Sequence, residues 1–315
     1  MLRVRSTSVR RVAASIAGAA IALTGTAAAA TAATTSTLAT GLTGPSGTIE
    51  TTTAAGVTST WVADHLLGFC RLDPAATGLQ INQATCLTNA IAPGQPAYDA
   101  TRGFVYVPDL SSKSQGVWRY AYNATTNRFG SATLLNVTAP QRGNRPAGAA
   151  LNGGGDLYFT TLRGGGILRV TDPFKANGAA TQGMSNVART SDQGGAASLT
   201  FLKGTLYIAE NSSVTSISTV NQCASTARCI ATDAGIAFTP RSLANNGVDT
   251  VYVGTNFDVE QYVVGQDGLA NQVATPFANA SSLAWSPASS SLVVGDDPTD
   301  GAQSLQGRLF QVSLP

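Results

Sequence analysis

The chain has 315 residues, of which 43% are hydrophobic and only 11% charged, with a formal net charge of +2. An average soluble domain is roughly 25% charged, and the scattered basic residues form no stripe that would track a phosphate backbone, which excludes a nucleic-acid partner. Thr, Ser, Ala, Asn and Gly take up the difference, a composition suited to an extracellular all-β protein whose strands expose hydroxyls.

The first element is a targeting segment. Arg3, Arg5, Arg10 and Arg11 make a basic head, Val12 to Leu23 an apolar body, and a run of small residues ends in Ala30-Thr31-Ala32. A secretion machinery and its signal peptidase read that order, so residues 1–32 are expected to be a signal peptide and the protein to be exported, periplasmic or extracellular. Arg10-Arg11 leaves the twin-arginine route open beside ordinary head charge. The apolar body is shorter than the roughly 20 residues of a membrane helix, and no later stretch reaches that length, so no membrane span is expected. Without the segment's arginines, 15 Lys and Arg face 17 Asp and Glu, a net charge near −2.

Beyond residue 40 one short pattern recurs: an aromatic or aliphatic residue, an apolar one, a small one, then a polar one. It reads Trp61-Val62-Ala63-Asp64, Tyr106-Val107-Pro108-Asp109, Tyr158-Phe159-Thr160-Thr161, Tyr207-Ile208-Ala209-Glu210, Tyr252-Val253-Gly254-Thr255 and Val293-Val294-Gly295-Asp296. The spacings are 45, 52, 49, 45 and 41 residues, within the roughly 40–50 residues of a propeller blade. Before each copy stands a strand-opening marker: Pro45-Ser46-Gly47, Pro96-Ala97, Pro146-Ala147-Gly148, Ala197-Ser198, Pro240-Arg241 and Ser281-Ser282. Proline at a strand's first residue forfeits no ladder hydrogen bond. After five copies comes an alternating segment: Gly116–Tyr120, Ile167–Val170, Val214–Ile217, Val259–Val263 and Arg308–Val312. Alternation with a period of two marks strands, and radial repetition of such groups predicts an all-β, six-bladed propeller over residues 41–315. A two-sheet sandwich would not repeat one pattern at near-constant spacing.

The last blade has room for three strands before the chain stops at Pro315. An open edge there would invite aggregation. The Thr-rich segment 33–40 is therefore expected to pair with the Arg308–Val312 strand and close the ring. Four cysteines in an exported chain predict two disulfides. Spacing favours Cys70–Cys86 and Cys223–Cys229, each stapling the outer two strands of one blade; with one histidine and no C-x-x-C, a metal role for them is not expected.

Candidate site residues follow from the repeat. Asp64, Asp109, Glu210 and Asp296, with Thr161 and Thr255, end the second strands and form a ring by symmetry; Asp297 adds one more acid. Converging oxygen ligands would suit Ca²⁺; the other reading is that each caps the backbone of its own turn. His65 is the one side chain that exchanges protons near neutral pH unaided, and Asp64 beside it could orient the ring for catalysis. Arg145 and Arg241 flank inner-strand starts, where they would meet an anionic ligand or solvent. Asn123, Asn136, Asn211 and Asn279 open N-x-S/T sequons, which arise readily in so Asn- and Thr-rich a chain.

Pro146-Ala147-Gly148-Ala149-Ala150 followed by Gly155-Asp156-Leu157-Tyr158-Phe159 resembles the NHL repeat, and Pro45-Ser46-Gly47 with Trp61-Val62-Ala63-Asp64 repeats it more loosely. Over nearly the whole chain after residue 32, the wider resemblance is to six-bladed propellers of the NHL, SMP-30/gluconolactonase-like and streptogramin-lyase-like group. A gluconolactonase-like centre implies a divalent metal held by a Glu at the first inner strand plus Asn and Asp; here Gly44 stands at that position and Glu50 lies too far along the strand. Streptogramin-type and amidating lyases imply several histidines, against His65 alone. No local motif matches the cofactor site of quinoprotein dehydrogenases, and strictosidine-synthase-like proteins resemble the chain in fold only. Fold likeness does not transfer activity. The residues favour a secreted binding or interaction propeller offering one face to a small molecule, polymer or protein. The alternative is a lactonase-like hydrolase or lyase with a divergent, Ca²⁺-dependent site.

Overall fold

The computed structural model describes residues 33–75, 78–111, 116–136, 145–162, 165–175, 185–190, 195–224, 226–236, 239–266, 271–298 and 306–314. The segment read as a signal peptide, 1–32, lies outside them. Strand β1 (Thr34–Leu42) leads into the first blade, β2 (Pro45–Thr52), β3 (Thr58–Asp64), β4 (Gly68–Ala75) and β5 (Gly78–Leu87). The second blade is β6 (Ala97–Asp99), β7 (Phe104–Pro108), β8 (Gly116–Asn123) and β9 (Arg128–Asn136). The third is β10 (Pro146–Leu151), β11 (Leu157–Thr161), β12 (Gly166–Val170) and β13 (Ser185–Arg189). The fourth contains β14 (Ala196–Leu202), β15 (Thr205–Glu210) and β16 (Val214–Ile217); β17 (Cys229–Ile230) interrupts it before β18 (Thr232–Ile236). The fifth is β19 (Ser242–Asn245), β20 (Thr250–Gly254), β21 (Val259–Val263) and β22 (Asn271–Ala274), and the sixth β23 (Ala280–Ser286), β24 (Ser291–Asp296) and β25 (Gly307–Ser313). Among the described residues no helix is long and apolar enough to cross a membrane.

Six antiparallel meanders arranged around an axis make a six-bladed β-propeller. All six copies of the second-strand pattern fall on β3, β7, β11, β15, β20 and β24. The ring closes as expected: β1 pairs antiparallel with β25, from Thr34 opposite Ser313 to Leu42 opposite Gly307, giving the order β1-β25-β24-β23. Leu42 and Ala39 of the closing strand are buried against Val62 and Leu72 of the first blade and Val293 and Leu309 of the last.

Strand alternation explains the repeated pattern. Successive side chains point to opposite faces of a blade, and each blade packs between two others. Trp61 and Ala63 face the second blade, where they meet Val105, Val107 and Phe129; Val62 faces the sixth, beside Val293. Tyr106, Tyr158, Tyr207 and Tyr252 repeat Trp61's place at successive seams. The core is thus six seam clusters, each shared by two neighbouring blades. In the first seam Trp61 stacks on Phe69 at 5.5 Å and meets the edge of Phe129 at 4.7 Å, while its indole N–H donates to Thr51 Oγ1 at 3.0 Å. A buried indole needs such a partner.

Serines in or beside the strand-opening markers join the blades. Ser46 donates to Pro93 O at 2.5 Å, Ser242 to Ala280 O at 2.7 Å and Ser281 to Pro45 O at 2.5 Å, each linking one blade to another. Gly148 is required for the same approach, since a Cβ there would stand 2.7 Å from Ala197 O.

Both disulfides join the expected partners. Cys70–Cys86 bridges β4 and β5, the outer strands of the first blade. Cys223–Cys229 does not staple outer strands of one blade. It closes the excursion between β16 and β18, and that excursion's β17 adds in parallel to β13 at the outside of the third blade. Two paired residues, Ala188 with Cys229 and Arg189 with Ile230, are too short a strand to announce themselves by alternation.

Candidate functional site

The strand-end acids do not converge. They stand at the fourth place of the pattern, on the same blade face as the second, and Asp64, Asp109 and Asp296 turn toward the link arriving from the preceding blade. Asp64, fully buried, accepts from the backbone N–H of Thr43 (2.7 Å), Gly44 (3.1 Å), Leu66 (3.1 Å) and Leu67 (3.2 Å), and from the Thr43 hydroxyl. Asp109 accepts from Ile91 N and Ala92 N at 3.2 Å and from Ser111 N at 2.8 Å. Asp296 accepts from Ala278 N and Asn279 N at 2.9 Å and pairs with Arg308 at 2.8 Å. Glu210 takes the hydroxyl of Thr215. Thr161 donates to Gly166 O at 3.4 Å, and Thr255 accepts from the amides of Phe257 and Asp258 at 3.1 Å. These are clamps between neighbouring strands and links, the capping alternative of the two readings. Among the described residues no three His, Cys, Asp or Glu side chains are grouped to hold a metal ion.

The residue after four of the clamps, those of Asp64, Asp109, Thr161 and Asp296, faces the channel mouth instead. Its backbone N–H is pinned to the incoming link: His65 to Gly44 O (3.1 Å), Leu110 to Ala92 O (2.8 Å), Leu162 to Arg145 O (2.9 Å) and Asp297 to Asn279 O (2.9 Å). Their side chains line a cavity of about 210 Å³ together with Arg241, Asn279, Ser46, Ser281 and Gln95. His65, Leu110 and Leu162 also line an adjoining cavity of about 420 Å³, whose wall includes Arg145. Three residues singled out from the sequence, His65, Arg145 and Arg241, therefore come to one face, and the acids of the ring do not join them. Asp297 and Asn279 complete the polar set. The strand pattern could have pointed to Asp297, because moving one residue along a strand moves a side chain to the other face.

The mouth has defined electrostatics. Arg241 Nε donates to Asn256 Oδ1 at 2.6 Å, which fixes the guanidinium plane. Burial pushes the His65 imidazole below its ordinary pKa, while Asp64 and Asp297 pull it partly back. The ring is thereby held neutral at neutral pH, able to accept one hydrogen bond and donate another. Asp64, its carboxylate taken by backbone amides, does not orient the ring as expected. Asp297 stands near it across Gly44: a Cβ at residue 44 would stand 2.9 Å from His65 Nδ1 and 3.5 Å from Asp297 Oδ2.

A side chain at residue 44, the position expected to carry glutamate in a gluconolactonase-like centre, would therefore meet His65. His65 already stands in the space a side chain at 44 would need, and the oxygen-bearing side chains of Asp297 and Asn279 line the same cavity. A hard divalent cation takes about 6–8 oxygen ligands, and these residues do not fit that requirement.

No protein-family model and no curated protein sequence matches the chain. Solved structures do match in fold. A gluconolactonase from Xanthomonas campestris superposes with a TM-score of 0.62 at 14% identity, covering 90% of each chain. Virginiamycin B lyase from Staphylococcus aureus gives 0.53 at 14% identity, covering 90% of this chain and 99% of its own. An auxiliary nutrient binding protein from Bacteroides thetaiotaomicron gives 0.58 at 10% identity, covering 87% of this chain and 69% of its own. Two enzymes and a binding protein thus share this fold with the chain, and at such identities it is the fold alone that is shared: the chain is a six-bladed β-propeller of the gluconolactonase-like and virginiamycin-B-lyase-like architecture.

Proposed function

We propose that the chain is an exported binding propeller that takes a small anionic ligand at the mouth lined by His65, Arg241, Asn279 and Asp297. The observation that carries this reading is convergence: Arg241, Asn279, His65 and Asp297 reach one cavity of about 210 Å³ from the fifth, first and sixth blades and the link between the fifth and sixth. Arg145 lines the adjoining space, so two guanidinium groups face the same approach. Arginine matches a carboxylate or phosphate through paired N–H donors, and a fixed plane reduces the entropy lost on binding. Neutral His65 and the amide of Asn279 supply donors and acceptors for the rest of a polyhydroxylated or carboxylated molecule. Export is supported by the basic, apolar and small-residue order of the first 32 residues and by two disulfides, which persist in oxidising compartments.

Isothermal titration of the chain with gluconate, citrate and uncharged glucose tests the reading. Gluconate or citrate is expected to bind and glucose not. Arg241→Gln should weaken binding by about tenfold, the lower end of a charge-assisted hydrogen bond. Equal binding of charged and uncharged probes, no binding of either anion, or an unaltered affinity in Arg241→Gln would refute it.

A further inference from the structure

The inner strands open at their other ends into a second and larger cavity, of about 480 Å³. Gln95 lies across the axis between the two. From the second blade its Nε2 donates to Leu199 O at 3.1 Å and Leu243 O at 3.4 Å, and its Oε1 accepts from Leu199 N at 3.0 Å, so it reaches the fourth and fifth blades. It lines both cavities. The larger one is therefore a chamber with its own floor and walls.

Of the described residues lining this chamber, Glu50 alone carries a charge. Glu50 belongs to β2, and the blades on either side of it contribute aromatic side chains: Trp285 of β23 and Tyr98 of β6. Phe201 of β14 lines the opposite wall and Asn245 of β19 the side between. Each aromatic ring packs against a second ring. Trp285 lies flat on Tyr252 at 5.6 Å, Tyr98 meets Tyr122 edge-on at 6.0 Å, and Phe201 meets Tyr158 at 5.1 Å. Glu50 is half-buried, and its carboxylate is hydrogen-bonded by the side chain of Ser286, next to Trp285. Among the described residues no lysine or arginine pairs with it. Burial accordingly pushes its pKa above the ordinary glutamate value.

A half-buried carboxylate in a cavity otherwise lined by uncharged side chains, three of them aromatic, is complementary to one kind of guest. A metal ion would need several more oxygen ligands than this wall supplies. An organic ammonium needs one counter-charge, and its alkyl surface is attracted to the negative faces of aromatic rings. We propose that this chamber binds a small organic ammonium cation, with Glu50 as counter-charge and Trp285 and Tyr98 as flanking walls. The site stands apart from the anion-binding mouth and does not depend on it.

The test is isothermal titration of the full chain with choline and with its uncharged isostere, 3,3-dimethylbutan-1-ol. Choline is expected to bind, and the isostere to bind at least about tenfold more weakly. Glu50→Gln, nearly isosteric and free of the buried charge, should weaken choline about tenfold or more while keeping the melting temperature at or above that of the parent chain. Trp285→Leu tests the aromatic wall and should weaken choline in the same direction. Arg241→Gln should leave choline binding unchanged, which separates this site from the other mouth. The proposal falls if choline does not bind, if the isostere binds as well, if a folded Glu50→Gln binds choline like the parent, or if Arg241→Gln removes binding.

Discussion

Replacing Asp64 with alanine removes a carboxylate that is fully buried and accepts four backbone amides at 2.7–3.2 Å as well as the Thr43 hydroxyl. A buried donor deprived of its acceptor costs about 1–3 kcal/mol. Water entering the vacated space recovers part of this, so the lower end applies to each of the four amides, and the expected loss is about 4 kcal/mol. For domains of a few hundred residues each kcal/mol moves the melting temperature by roughly 2–4 °C, which places the fall at about 8–16 °C. Differential scanning calorimetry reads it directly. Repeating the scans in about 5 mM calcium separates a clamp from a metal ligand, because an ion that binds only the folded chain raises its melting temperature. The clamp reading requires parent and variant to be equally indifferent to calcium. A loss below about 1 kcal/mol, or a calcium-dependent rise in the parent that Asp64→Ala abolishes, would refute it.

Deleting residues 33–42 removes β1, exposes the edge of β25 and strips Leu42 and Ala39 from the seam between the sixth and first blades. Leu42 burial alone is worth about 1.5–3 kcal/mol, so the truncated chain is expected to melt well below the parent and to self-associate through the open edge, as calorimetry and light scattering would show; identical melting and a monomeric state would contradict the closure. His65 supplies a pH test. Its folded pKa lies below the ordinary 6.5, so the unfolded chain binds more protons between the two values, and stability is complete above pH 6.5 and lost as pH falls through that window. Denaturant titrations between about pH 5 and 7 should show a downward slope on acidification that His65→Gln flattens; an unchanged slope in the variant would remove His65 as its source.

The amino-acid sequence by itself determined the strands that carry the repeat, their grouping and the partners of the disulfides. Alternation with a period of two is a local property, and six copies of one four-residue pattern at 41–52 residue spacing leave little freedom in how the blades count. Ring closure was legible too, because a last blade with three strands needs a fourth and the Thr-rich segment before Pro45 was available. Only the tertiary structure decided which side chains share a site. At the end of each second strand, one step separates Asp64 from His65 and Asp296 from Asp297. The first of each pair turns into a seam and the second toward the mouth, and the seam is defined only once a neighbouring blade is present. Gly44 shows the same dependence, for its lack of a side chain becomes meaningful when His65 is seen to stand in the space. Gln95 meets Leu199 across 104 residues and Leu243 across 148, and Glu50 lines one cavity with Trp285 from the opposite end of the chain. Such convergence follows from the rotation between blades around a common axis, a quantity that no local pattern along the chain encodes.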